Sequence, residues 1–60
     1  MTPAARSRAI ALVLAETPNI WSDVSVIETV HRLGFTITQI GSTELIAALD
    51  EARAQMTEDA

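Results

Sequence analysis

Two prolines and two glycines punctuate this chain, and their positions leave room only for short helices. Thr2-Pro3 reads as a helix start, because threonine caps well and proline at the first helical position lacks an N–H that has no partner there anyway. Thr17-Pro18 stops that helix. Gly34 falls where a left-handed C-cap would end a second helix, and the hydrophobic phase breaks again near Gly41-Ser42. The spacing predicts a single small, mainly α domain over 1–60, with three helices at about 3–16, 23–33 and 42–56. Between the last two, residues 35–40 form either a short helical turn or a short strand.

Each span has an expected inner face. In the first helix Ile10, Val13 and Leu14 point inward, while Leu12 points away, flanked by Arg8 and Ala15. Ile20 and Trp21 plug the gap between the first two helices, or Trp21 meets a partner instead. Ser22 or Asp23 caps the second helix. Val24, Ile27, Val30 and Leu33 make its inner face, with Val26 on the flank. Ser25, Glu28, Thr29 and Arg32 take the outer side, where Glu28 and Arg32 are placed to pair at i,i+4. Phe35 to Ile40 has strong β-propensity and partial alternation, yet Thr36 and Gln39 also fit a capping box. Ser42 is placed to cap the last helix, with Glu44 in its first turn and Leu45, Ala48, Leu49, Ala52 and Met56 along one stripe. Residues 57–60 should fray, since acids at a helix C-terminus oppose the dipole.

Sixty residues give a thin core, and there is no cysteine to staple it. A lone histidine, His31, builds no metal site, so neither metal nor cofactor is expected. The remaining support is a second chain, which predicts a homodimer or a protein partner bound through Leu12, Trp21, Ile37 and Met56. Catalysis finds no nucleophile–base motif and no glycine-rich phosphate loop, which predicts a non-enzyme. No stretch reaches the ~20 apolar residues of a membrane span. Arg6 and Arg8 before Ala9–Ala15 can imitate a signal peptide, but the run reads as a buried helix of a cytoplasmic protein. Net charge is −4, which disfavours sequence-blind attraction to nucleic acid. The acids are unevenly placed, however, and none lies between Thr29 and Thr43.

That acid-poor window carries the one motif in the chain. Val30-His31-Arg32-Leu33-Gly34-Phe35-Thr36, followed by Ile40, resembles the centre of a helix-turn-helix unit of the phage-repressor and Cro kind, over residues 23–45. In that family a glycine makes the turn, an apolar residue seals the corner, a Ser or Thr caps the second helix, and a Val or Ile locks it. Gly34, Phe35, Thr36 and Ile40 match those roles. The resemblance implies that Thr36, Thr38 and Ser42 touch phosphates or base edges, that Gln39 reaches adenine, and that Arg32 contacts phosphate. It departs from the pattern at Val30, where the family prefers alanine, at Ile37, where a polar group is usual, and at Gly41, inside the recognition helix. No Arg, Lys or Asn lies between Gly34 and Arg53. Two functions are therefore expected: a homodimeric transcription regulator that binds duplex DNA, or an acidic helical interaction module without DNA binding. The second class includes antirepressors, antitoxin-like proteins and phage inhibitors of host proteins.

Overall fold

A computed structural model describes residues 1–58. Four helices follow one another: α1 (Pro3–Glu16), α2 (Asp23–Arg32), α3 (Ile37–Ile40) and α4 (Ser42–Glu58). There is no strand among the described residues. α1 has the expected bounds, α2 ends one residue early and α4 runs two residues further than expected. Of the tail expected to fray, Thr57 and Glu58 belong to α4, and positions 59 and 60 lie outside the described residues.

Local chemistry explains each boundary. The Thr2 hydroxyl accepts from the Ala5 N–H at 3.1 Å and opens α1. Thr17 closes it in an extended conformation, as a residue before proline must. Its N–H and its hydroxyl both donate to the Val13 carbonyl, so this threonine is buried with its polar groups satisfied. In the connector, Asn19 receives N–H bonds from Trp21 on its side chain and from Ser22 on its carbonyl. That tight turn sends consecutive side chains opposite ways: Ile20 enters the core, and Trp21 stays 57% exposed. The plug between the first two helices is thus Ile20 alone.

α2 is rotated roughly a quarter-turn from its expected orientation, at ~100° per residue. Val26, Thr29 and Val30 are buried, while Val24 and Ile27 face out. Thr29 can turn inward because its hydroxyl donates to the Ser25 carbonyl at 2.9 Å, leaving no unsatisfied donor. The Ser22 hydroxyl caps the helix from the Ser25 N–H. Arg32 does not close the expected pair with Glu28. Its guanidinium donates instead to the Glu16 carbonyl at 3.2 Å, placing a cation at the C-terminus of α1.

α2 ends in a Schellman turn: Phe35 N–H bonds the Val30 carbonyl, Gly34 N–H bonds the His31 carbonyl, and Gly34 sits at φ +87°. The segment after it is a helical turn and not a strand. Thr36 accepts from the Gln39 N–H while the Gln39 side chain accepts from the Thr36 N–H, so the backbone finds its partners locally. Ile40 is fully buried beneath that turn. Gly41 then breaks the path at φ +90° and ψ +110°. Its carbonyl receives the Leu45 N–H, so Gly41 holds the cap position of α4 and Ser42, expected to cap, is the first helical residue.

The core joins Ala9, Ile10 and Val13 of α1 to Val26 and Val30, Ile40, and Leu45 and Leu49. α1 packs on α2, α3 and α4, and α3 packs on α4, whereas α2 and α4 scarcely touch each other. α4 outruns this body, so Met56, expected on the inner stripe, is exposed. No helix among the described residues is long and apolar enough to cross a membrane.

Candidate functional site

The splay of α2 and α4 opens a groove of about 370 Å³ between them. Val26, Leu45 and Leu49 form its floor and are themselves core residues. Ile27 and Ile46 form its shoulders, 43% and 56% exposed, and Ile37 lies at the end nearer Ser42.

Arg53 fixes the other end. Its Nε donates to the Ile20 carbonyl at 2.7 Å, and its terminal nitrogen donates to Asp23 at 3.0 Å. The guanidinium also lies 5.8 Å from the centre of the Trp21 ring, within cation–π range. This one side chain therefore ties the connector and the start of α2 to α4 across the gap. It makes the only ion pair among the described residues, and Asp50 at the same end makes none. A second depression of about 530 Å³ lies between α1 and α4, lined by Ile10, Leu14, four alanines, Ser7, Gln55 and two glutamates; Ile10 is buried and Leu14 half-buried, so neither stands out as an exposed shoulder.

Of the residues expected at a partner interface, Ile37 lines the α2/α4 groove, while Trp21 lies outside its lining, beside Arg53. Leu12 is exposed on α1, and Met56 lies one turn beyond Arg53. Ile46 lies outside the expected stripe, and its position beside Leu45 and Leu49 was the available signal; Ile27, expected inside, is exposed, and Arg53, with no expected role, closes one end of the groove.

The residues expected to meet DNA, Arg32, Thr36, Thr38, Gln39 and Ser42, are all exposed. Arg32 is turned to the end of α1, the Gln39 side-chain oxygen is held by Thr36, and Ser42 borders the apolar groove. Thr36 and Thr38 remain on α3 and its cap. α3 has four residues and spans ~6 Å at 1.5 Å per residue, one turn in place of a recognition helix. Among the described residues, no group of three or more His, Asp or Glu is arranged to hold a metal.

No protein-family model matches the chain, and no curated protein or solved structure is similar enough to match it.

Proposed function

We propose that the chain is a non-enzymatic, cytoplasmic protein-interaction module that works by docking a partner on its α2/α4 face. The observation that carries this reading is the pair of isoleucines, Ile27 and Ile46, left in water across a groove floored by the core. Covering the exposed halves of two such side chains contributes about 1 kcal/mol each, enough to help anchor a small interface. A homodimer is the competing use of the same face. A photo-crosslinking residue at position 46, compared with one at position 55, tests the reading in cells of the source organism. An adduct specific to position 46 is expected; equal adducts at both positions, or none, would defeat it.

A helix-turn-helix regulator is the second reading. It is favoured by the Schellman turn at Gly34, the Thr36 capping box and the absence of acids from Thr29 to Thr43. It predicts duplex binding at ~50 mM salt that is lost in a double Arg32→Ala, Thr38→Ala variant. No binding to any duplex under that condition removes it.

A further inference from the structure

The groove has a shape and a charge that select its occupant. Along α4 it runs from Ser42 to Arg53, a distance of ~16 Å at 1.5 Å per residue, which is three helical turns. The α4 wall carries apolar side chains at helical spacing, Leu45, Ile46 and Leu49, and the α2 wall adds the adjacent pair Val26 and Ile27, one turn after Asp23. Such stripes are what helices offer other helices. α1 already packs on both α2 and α4, while those two stand apart. The gap is therefore the place where a further long helix would complete a bundle.

The charges lie at one end. Asp23 and Asp50 border the groove beside Arg53, and Arg53 is already committed to Asp23 and the Ile20 carbonyl. Asp50 has no cation among the described residues, and the chain as a whole carries −4. A second copy answers this poorly. Two copies bring −4 against −4 and supply no unpaired cation facing the groove beyond Arg8, and the outward side of α1, which bears Arg8, offers one large apolar side chain, Leu12, to a groove three turns long.

Building on the interaction reading above, we infer that the α2/α4 groove seats an amphipathic helix of about three turns from a different protein. That helix is apolar along the face it buries and cationic at the end that meets Asp50 and Asp23. Apolar side chains filling the space over Val26, Leu45 and Leu49 supply the affinity, and the cation sets direction and register.

Two synthetic helical peptides test this, identical in their leucines at i, i+3 and i+7 and differing only in flanking lysines or glutamates. Each is titrated to ~1 mM, where weak docking still registers, into protein with labelled Ile, Leu and Val methyl groups. The lysine peptide is expected to shift Ile27, Ile46 and Leu49 and to leave Leu12 in place, and the glutamate peptide to bind at least about tenfold more weakly. Asp50→Lys should reverse that preference. Ile46→Asp, at a position more than half exposed, should abolish docking while the helical circular dichroism is kept. The inference is overturned if neither peptide binds, if both bind alike, if the shifts gather at Leu12, or if Ile46→Asp breaks up a self-associated chain that no peptide has touched. An adduct at position 46 together with failure of the lysine peptide would preserve the interaction reading and sink this one alone.

Discussion

Gly34 and Gly41 share a positive φ, yet their demands differ. A Cβ on Gly34 would meet nothing within 4 Å, so Gly34→Ala bears only the left-handed penalty, about 1–2 kcal/mol. A Cβ on Gly41 would run into the Glu44 carboxylate as well, and its ψ of +110° lies outside the left-handed region that asparagine tolerates. Denaturant titration should therefore find Gly34→Asn mild and Gly41→Asn severe. The Glu44 carboxylate is the free end of an exposed side chain and can swing aside, so adding Glu44→Ala to Gly41→Ala should restore little of the loss, and a large restoration would show that the carboxylate and not the backbone angle is decisive. Thr36→Ala should cost about 1 kcal/mol through loss of the capping box. Gly34 and Thr36 were legible in the sequence because their partners lie within five residues, where spacing alone fixes the chemistry. The cap at Gly41 was not, because a break in hydrophobic phase marks a boundary without saying which residue holds it.

At the scale of the element, α2 shows what spacing cannot decide. Its apolar residues fit two overlapping faces, and a hydrophobicity count sends Thr29 outward. The bond from its hydroxyl to the Ser25 carbonyl turns it into an acceptable core residue, and the helix rotates accordingly. Ile27→Asp should then keep its melting point within a few degrees, as exposed changes usually stay near ±0.5 kcal/mol. Val26→Asp, one residue away and 2% exposed, should unfold the chain. The reverse ranking would restore the face that the sequence suggested. Arg53 makes a second prediction here. Arg53→Met keeps the stem but removes the charged bond to the Ile20 carbonyl, and should cost about 1.5–3 kcal/mol while changing Trp21 fluorescence. Asp23→Asn should cost less than about 1 kcal/mol, because that carboxylate is 81% exposed. Equal losses would mean that the ion pair, not the carbonyl bond, holds the ends together. The groove itself was hidden from the sequence for the same reason: it exists because α2 and α4 stand apart, a property of neither helix alone.

The whole molecule exposes 4001 Å². A compact monomer of this mass would expose about 3,800 Å². The chain's surface is therefore close to that of a compact monomer of this size, and the kind of partner is decided by where the apolar side chains lie. The core is thin, and its buried apolar residues are all Ala, Val, Ile or Leu. What is unusual is the placing of Ile27 and Ile46 on the walls of one groove, with the last residues of α4 exposed. A chain arranged this way should fold alone with a stability of only a few kcal/mol. Its melting point should hold steady over a roughly hundredfold dilution and rise when a cationic amphipathic helix is added, because a ligand that binds only the folded state stabilises it by mass action. Calorimetry at two protein concentrations, with and without the lysine peptide, separates the cases. A midpoint that climbs with protein concentration alone would give the groove to a second copy, since self-association stabilises by the same law with the chain as its own ligand.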